Sequence, residues 1–195
     1  MEENAIVSDC KVLIIGGSAG SLEVLLQIIQ NLEKLNDFSM VIVLHRKGSD
    51  DSTLEELFAL KTTILVKEVE DKTPLLPENI YIAPADYHLL FEKSGTLSLD
   101  ISEKINYSRP SIDVSFESVA EAYGNSVVAI LLSGANADGT EGLKIIKGAG
   151  GKTIVQDPKS AGMPFMPQNA IENLEPDAVL NIPDLLRFIA SINSK

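Results

Sequence analysis

The pattern of apolar and polar positions predicts short buried strands that alternate with amphipathic helices. Residues 11–15 (KVLII) form a short branched run before two glycines, which is typical of a strand buried on both faces. Leucine and isoleucine recur at helical spacing over residues 22–32, and a second buried strand is predicted at 40–44 (MVIVL). A helix at 53–61 and a strand at 63–66 complete a β-α-β-α-β series, whose parallel strands require crossover helices.

Prolines interrupt this rhythm in the middle of the chain, around a strand predicted at 80–83. Two alternating runs, 88–92 and 96–101, flank a short polar turn and predict an antiparallel hairpin at a sheet edge. The α/β rhythm then resumes. It predicts helices at 111–123, 142–148 and 184–192 and strands at 126–132, 153–155 and 177–182.

These elements predict one α/β domain. We expect residues 1–10 to form an N-terminal tail and residues 11–195 to form a single domain. Its expected architecture is a doubly wound, mostly parallel sheet with helices on both faces and an antiparallel edge hairpin, a Rossmann-like three-layer αβα fold. Sheets of this kind bind ligands at the carboxyl ends of their strands.

The amino-acid composition limits which kinds of binding partner and which cellular compartments we expect for this protein. The chain has 195 residues, of which 28 are acidic and 16 are basic, so its formal charge is −12. A charge of that sign repels phosphate backbones, so we expect no nucleic-acid partner. Cys10 is the only cysteine, which suits a reducing compartment such as the cytoplasm. The start of the chain lacks a signal-peptide pattern and no apolar run reaches about 20 residues, so we expect no membrane insertion.

The first predicted strand is followed by a glycine-rich turn, Gly16-Gly17-Ser18-Ala19-Gly20. A dinucleotide fingerprint requires glycine where Ser18 stands, and the lysine of a phosphate-binding loop is missing. The same residues fit G-x-S-x-G, in which a sharp turn presents a serine hydroxyl beside amides that can bind an oxyanion. Ser18 is therefore a candidate nucleophile. The alternative is a tight loop in which Ser18 caps the following helix.

A serine nucleophile needs a base, and the sequence contains two histidines, His45 and His88. His45 ends the second predicted strand, which should lie beside the first at the same edge of the sheet. His88 begins the predicted hairpin, where a structural role is easier to accommodate. His45 is thus the preferred base, and the alternative for either histidine is an ordinary polar residue.

A carboxylate should hold the imidazole in one tautomer and stabilise its charged form. Asp138 follows the most apolar predicted strand, so it returns to the sheet edge that carries Ser18 and His45. The alternative is an ordinary Asp-Gly turn or a cap on the next helix. The chain order Ser, His, Asp, with the serine loop after the first strand, disfavours the α/β-hydrolase superfamily.

From Lys11 onward the sequence resembles the catalytic domain of CheB, the chemotaxis protein-glutamate methylesterase. The resemblance rests on a series of segments: the serine loop IGGSAGS, the histidine after the second strand, KEVEDKTPLLPENIYIAPADYH at 67–88, RPSID at 109–113 and the aspartate loop LLSGANADGTEGL. The family's catalytic serine, histidine and aspartate fall on Ser18, His45 and Asp138.

The resemblance implies hydrolysis of glutamate methyl esters on helical receptor proteins, with release of methanol, and deamidation of receptor glutamines in the same site. Ser18 would attack the ester carbonyl, His45 would act as base and then as acid, and Asp138 would orient His45. The implied partner is a methyl-accepting chemoreceptor or a similar methylated signalling protein. No metal or organic cofactor is implied.

The expected rim of the site departs from the family pattern. Arg46 and Lys47 follow the histidine where the family usually has an apolar residue and a proline, and Ala135 stands where the aspartate loop usually carries methionine. The expected substrate is itself rich in glutamate, so long-range attraction cannot recruit it to an acidic protein. We therefore expect Arg46 and Lys47 to contact neighbouring receptor carboxylates. Ala19 and Ala135 are candidate oxyanion donors.

Two further departures concern a Met-Pro motif and regulation. The family's Gly-Met-Pro matches residues 162–164 or, in the preferred register, residues 165–167, which makes Met166 a candidate substrate-binding residue with Phe165 in place of glycine. The alternative for both Met-Pro pairs is loop packing. Family members usually carry an amino-terminal receiver domain, whereas here the first strand begins at Lys11. We therefore expect constitutive activity or control by a receiver-domain protein in trans. The alternative function is a catalytically weak or inactive CheB-like module that binds a signalling partner.

Overall fold

A computed structural model describes residues 9–46 and 53–192 of the chain. The strands are β1 (Val12–Gly17), β2 (Ser39–Leu44), β3 (Leu65–Glu68), β4 (Thr73–Pro74), β5 (Asn79–Ile82), β6 (His88–Phe91), β7 (Thr96–Asp100), β8 (Val127–Leu131), β9 (Lys152–Gln156) and β10 (Ala178–Leu180). The helices are α1 (Leu22–Gln30), α2 (Thr53–Ala59), α3 (Ile112–Tyr123), α4 (Thr140–Gly148), α5 (Phe165–Asn173) and α6 (Ile182–Ile192).

The central sheet has seven strands in the order β10-β9-β8-β1-β2-β5-β3, and all of its strand pairs are parallel. Alternate residues of β1 enter two different apolar cores, which explains why its sequence is a continuous apolar run. Leu13 and Ile15 pack in the core with α1, α2 and α6. Val12 and Ile14 pack in the core with α3, α4 and α5. The predicted fold class, a mostly parallel sheet between two helical layers, is confirmed.

The predicted hairpin forms as β6 and β7, but it does not extend the central sheet. It pairs with β4 in a separate antiparallel sheet of order β4-β7-β6. This small sheet is attached to α3, because Ser115 Oγ donates to the Leu89 carbonyl (2.9 Å) and the Phe91 N–H donates to Ser118 Oγ (3.1 Å). The hairpin therefore lies against a helix on one face of the domain.

Helix α5 was missed by the sequence patterns. Pro164 occupies its N-cap position and Pro167 lies in its first turn, and two prolines so close together do not indicate a helix. Proline is tolerated there because an N–H in the first turn has no carbonyl partner within the helix. Met166 and Ala170 on this helix are fully buried. The apolar contacts of α5 therefore outweigh the loop-like composition of its start.

The strand order places a topological switch beside β1. After β1 the chain forms β2, the edge strand β3 and then β5, which lies between them, on one side, and later β8, β9 and β10 on the other. The loops after β1, β2 and β8 therefore meet at the carboxyl edge of the sheet, which is where such folds bind their ligands. In the part of the chain that the structure describes, no helix has the length and hydrophobicity needed to cross a membrane.

Candidate active site

Ser18 and His45 follow two neighbouring parallel strands. Gly17 and Leu44 are register partners at the ends of β1 and β2, and the His45 N–H donates to the Gly17 carbonyl at 3.1 Å. Neighbouring strands lie about 5 Å apart, so the next residue on each strand, Ser18 and His45, is adjacent to the other. Both residues are half-buried at the rim of the sheet.

The serine loop is attached to the segment that follows β8. The Ser18 N–H donates to the Ser133 carbonyl at 2.8 Å and to Ser21 Oγ at 3.2 Å, while Ser21 Oγ donates to the same carbonyl at 2.7 Å. Gly20 supplies the left-handed turn, with φ of 81°. The N-cap position of α1 is Ser21, so the alternative in which Ser18 caps the helix is wrong. Ser18 is left as an accessible hydroxyl at a turn that is fixed on both sides.

His45 forms a short hydrogen bond to Asp138. Its Nε2 lies 2.6 Å from Asp138 Oδ2, so Nε2 carries the proton and donates it to the carboxylate. Nδ1 is then the atom with a free lone pair, and it lies 3.3 Å from Ser108 Oγ. The atom of His45 that can accept a proton is therefore Nδ1, the reverse of the more familiar triad order in which Nδ1 faces the carboxylate.

Asp138 is fully buried and is held by the start of α3. Besides His45, its donors are the N–H groups of Ile112 (2.6 Å) and Asp113 (3.0 Å), Ser111 Oγ (2.9 Å) and Asn106 Nδ2 (3.0 Å). A carboxylate at a helix N-terminus is stabilised by the helix dipole and by free N–H groups. Asp138 therefore binds the start of α3, whereas the N-cap position of the following helix α4 is Gly139.

The environment of Asp138 keeps it ionised. Burial alone would raise its pKa, but hydrogen bonds from His45, Asn106 and the backbone N–H groups of Ile112 and Asp113 outweigh burial and lower the pKa to about 2. An ionised carboxylate stabilises an imidazolium at His45, which is the state a general base reaches when it accepts a proton.

Asp113 has the opposite environment. Burial, together with the nearby charge of Asp138, raises its pKa to about 6, although the N–H groups of Gly142 and Gly139 act to lower the pKa. Its Oδ1 accepts from Gly139 (2.9 Å) and Gly142 (2.7 Å), and its Oδ2 accepts from Asn106 Nδ2 (2.9 Å). Asp113 thus links the start of α3 to the start of α4 behind the site.

His88 lies behind Asp138 and has no free nitrogen. It is fully buried, its Nδ1 accepts from the Ser111 N–H at 3.1 Å, and its Nε2 donates to the Glu103 carbonyl at 2.9 Å. A histidine in this arrangement is a neutral, structural residue that supports the start of α3. The preference for His45 over His88 as the base stays a prediction, and the backbone hydrogen bonds at both nitrogens of His88 support it.

Comparison with known proteins identifies the family. Residues 13–189 match a model of the CheB methylesterase family. The chain belongs to this family. It is 40% identical over 181 residues to a putative protein-glutamate methylesterase/protein-glutamine glutaminase of Leptospira interrogans, covering 93% of this chain and 94% of that protein.

Two matches from Thermotoga maritima agree with this assignment. A protein-glutamate methylesterase/protein-glutamine glutaminase is 35% identical over 182 residues, which are 90% of this chain and 53% of that protein. The crystal structure of the CheB methylesterase catalytic domain superposes with a TM-score of 0.87 at 33% identity, covering 93% of this chain and 98% of that one. This chain therefore spans about half of the longer relative and nearly all of the catalytic domain.

The candidate oxyanion donors of this CheB-type site lie on two loops. Ala19 and Ala135 are both exposed, on the serine loop and on the loop after β8. Within the described part of the chain, the N–H groups of both residues lack a hydrogen-bond partner. Both groups therefore remain available to an oxygen of a bound substrate.

Met166 is placed where it supports this CheB-type site from inside. It is fully buried, and a Cβ added to Gly134 would come within 2.4 Å of Met166 Cε. Met166 therefore packs beneath the loop that carries Ala135. Gly162 borders the serine loop instead, because a Cβ added to Gly20 would lie 3.3 Å from its Cα. Neither Met-Pro pair is distant from the site.

Arg46 is less available to a substrate than its sequence position suggested. Its guanidinium forms an ion pair with Glu68 on β3 and also approaches the Ala83 carbonyl at 3.4 Å. Lys47, its expected companion, lies outside the described residues. The ion pair neutralises Arg46 locally. Arg46 is therefore not the free cation that the sequence predicted at the rim of the site, and other cations would have to contact a substrate carboxylate.

Several residues of the site were not singled out as functional from the sequence. Ser111 and Asp113 belong to the RPSID segment, where Ser111 after Pro110 carries a helix-start signal. Asn106 and Ser108 lie in an irregular loop without such a signal. Next to this loop is a cavity of about 490 Å³, whose lining includes His45, Arg46, Lys104, Tyr107 and Arg109. Among the described residues, no group of three or more His, Cys, Asp or Glu side chains is placed to hold a metal ion.

Proposed function

We propose that this chain hydrolyses γ-methyl esters of glutamate side chains on methyl-accepting chemoreceptors or similar signalling proteins, and deamidates glutamines in the same site. The observation that carries the proposal is the 2.6 Å bond between His45 Nε2 and the ionised Asp138, directly beside Ser18 at the carboxyl edge of the sheet. The names of the relatives agree with this substrate class. The reaction takes place in the cytoplasm.

In the first half of the reaction Ser18 Oγ attacks the ester carbonyl carbon. His45 Nδ1 accepts the hydroxyl proton as the new bond forms, and Asp138 stabilises the resulting imidazolium. The negative oxygen of the tetrahedral intermediate accepts from the N–H groups of Ala19 and Ala135. When the intermediate collapses, the bond to the methoxy oxygen breaks, and that oxygen takes the proton from Nδ1 and leaves as methanol.

In the second half a water molecule hydrolyses the glutamyl-serine ester. Nδ1 accepts a proton from the water as its oxygen attacks, and it returns that proton to Ser18 Oγ when the acyl bond breaks. The products are a glutamate carboxylate, after release of its proton to solvent, and a free serine. With a glutamine substrate the leaving group of the first half is ammonia, and the second half is unchanged.

One observation favours a second candidate function, a catalytically weak module that binds a signalling partner. In the described part of the chain, Ser18 Oγ has no hydrogen bond to His45, whereas Ser108 Oγ lies 3.3 Å from Nδ1. The two hydroxyls compete for one lone pair. Catalysis requires Ser18 to replace Ser108 at Nδ1 when the substrate is bound, and apo sites often show such looser geometry.

The test compares the two serine variants, Ser18→Ala and Ser108→Ala. Methanol release from a methylated receptor is measured for both variants and for the unmodified chain. We expect Ser18→Ala to reduce turnover about 10,000-fold or more, as loss of a nucleophile does elsewhere. Ser108→Ala should retain activity within about tenfold, because its hydroxyl occupies the base without reacting.

The serine comparison separates the candidate functions. Loss of activity in Ser108→Ala with retention in Ser18→Ala would assign the nucleophile to Ser108 and refute the proposed mechanism. If the unmodified chain releases no methanol and both variants still bind the receptor, the binding-module function replaces the esterase.

A further inference from the structure

Residues 101–109, here called the docking loop, carry apolar side chains into solvent beside the cavity that contains His45. Tyr107 is 98% exposed, Ile101 is 70% exposed and Ile105 is 44% exposed. Tyr107 also lines the cavity. Single exposed apolar residues are ordinary on protein surfaces, but a cluster on one short segment next to a reactive site is typical of an interaction surface.

The docking loop is held in one conformation despite its exposure. Ile105 and Ser108 exchange backbone hydrogen bonds of 3.3 and 2.9 Å around a tight turn, whose central residues Asn106 and Tyr107 have φ of 49° and 63°. Two positive φ values in succession define a type I′ turn. The exposed Tyr107 ring is therefore presented at the tip of a fixed turn.

Side-chain bonds attach the docking loop to the rest of the site. Arg109 Nη1 donates to the carbonyls of Ile101 and Ser102 at 2.8 Å each, and Asn106 Nδ2 donates to the Asp113 and Asp138 carboxylates. The loop is therefore fixed relative to Asp138 and, through it, to His45. A surface that is already ordered loses less conformational entropy when it binds a partner.

The docking loop carries two cations, Lys104 and Arg109, and one acidic residue, Glu103, so its net charge is opposite in sign to that of the molecule. Asp86 is the acidic residue in the lining of the neighbouring cavity. Lys104 is exposed, lines the cavity and makes no ion pair within the described residues. Arg109 also lines the cavity and makes no ion pair in the same part of the chain. The chain as a whole carries a charge of −12. An anionic partner is therefore accepted locally at Lys104 and Arg109 and repelled by most of the remaining surface.

We propose that the docking loop binds an acidic, amphipathic segment of the substrate protein and positions it over His45. Tyr107 and Ile105 contact apolar side chains of that segment, while Lys104 and Arg109 bind carboxylates that flank the reacting ester. This inference rests on the proposed function, because it takes the substrate to be a glutamate-rich polypeptide. It assigns polypeptide recognition to the docking loop, and it replaces the neutralised Arg46 with Lys104 as the principal free cation.

Two variants test the docking loop, Tyr107→Asn and Lys104→Glu. Asparagine tolerates a positive φ, so the turn is retained while the ring is removed. The matched controls are Leu60→Asn and Lys93→Glu, which alter an 83% exposed leucine after α2 and an exposed lysine in the β6–β7 turn. Each variant is assayed with methylated receptor and with a small neutral glutamate γ-methyl ester whose amino and carboxyl groups are blocked.

Binding is measured separately in the Ser18→Ala background, by fluorescence anisotropy of a labelled methylated receptor segment. We expect each docking-loop variant to weaken binding and to raise KM for the receptor about tenfold, as loss of one good interface contact does. Turnover of the small ester should change less than about twofold. Both controls should match the unmodified chain in all three assays.

Different outcomes overturn the docking inference and the proposed function. Unchanged receptor binding in both docking-loop variants would overturn the inference, whether or not the protein is an esterase. Equal losses on receptor and small ester would also overturn it, because the loop would then act on the chemistry. Weakened binding together with an unmodified chain that hydrolyses neither ester would support docking and refute the proposed function.

Discussion

At the scale of single residues, two neighbouring carboxyl groups are driven to opposite protonation behaviour. Asp138 accepts enough hydrogen bonds to lower its pKa to about 2, whereas burial raises the pKa of Asp113 to about 6. Asp138 therefore contributes stability that is present above about pH 4 and is lost as the pH falls toward 2. Asp113 has the opposite sign, since its ionisation between about pH 4 and 6 disfavours the folded state.

The variant Asp113→Asn tests whether ionisation of Asp113 destabilises the folded state. In the unmodified chain, we expect ionisation of Asp113 to lower the free energy of unfolding by about 1–2 kcal/mol as the pH rises from 4 to 6, a value that already allows for partial solvent exposure. The substitution should remove this decrease. The measurement is urea denaturation of both proteins across pH 4–7. The difference in stability between variant and unmodified chain should increase through this window and then level off. A difference that does not change with pH would contradict the raised pKa of Asp113.

At the scale of elements, the site depends on the close approach of α3 and α4. The Gly142 N–H donates to Asp113 Oδ1 at 2.7 Å, and a Cβ added to Gly142 would lie 2.4 Å from Phe116 Cβ and 3.2 Å from the Asp113 backbone. Helix α4 therefore begins directly against the helix whose N-terminus holds Asp138. Any side chain at Gly142 would separate the two helices.

Gly142→Ala is expected to destabilise the protein by about 1–3 kcal/mol and to lower turnover, because the start of α3 must move. Gly148→Ala in the same helix is the matched control. A Cβ there meets no atom within 4 Å, and alanine is the better helix former, so stability should be unchanged or higher by up to about 1 kcal/mol. Denaturant unfolding and kcat are measured for both. Equal stability of the two variants would show that α3 and α4 can separate without loss.

At the scale of the whole molecule, the acidic surface and the cationic docking loop act over different distances. Repulsion from a charge of −12 extends beyond the contact region, whereas Lys104 acts on groups in direct contact. Salt at 0.1 M screens charges beyond about 10 Å and affects close contacts less. Ionic strength therefore separates the two effects.

We expect kcat/KM for an acidic receptor to rise as ionic strength increases from about 0.02 to 0.2 M, because the long-range repulsion is screened first. Turnover of a small neutral ester should not respond. Lys104→Glu should steepen the response to salt, since it adds a further negative charge at the contact surface. A receptor rate that falls with salt would mean that attraction, and not repulsion, dominates the approach.

Local sequence patterns determined the main strands and the placement of the three proposed catalytic residues. KVLII and MVIVL are continuous apolar runs because both faces of these strands are buried. Once the strands are parallel neighbours, Ser18, His45 and Asp138 must meet at one edge, since each follows the carboxyl end of a strand. The pattern of apolar residues along short segments is therefore enough to predict that these three residues lie at one edge of the sheet.

Only the tertiary structure decided the partners of those residues. In the sequence, Ser108 is 63 residues from His45, Asn106 is 32 residues from Asp138, and Glu68 is 22 residues from Arg46, yet the side chains of each pair are in contact. Hydrogen bonds and ion pairs of this kind depend on how the loops pack in three dimensions. No periodic pattern in the sequence records them, because periodicity reports which face of an element is buried and not which distant group lies against it.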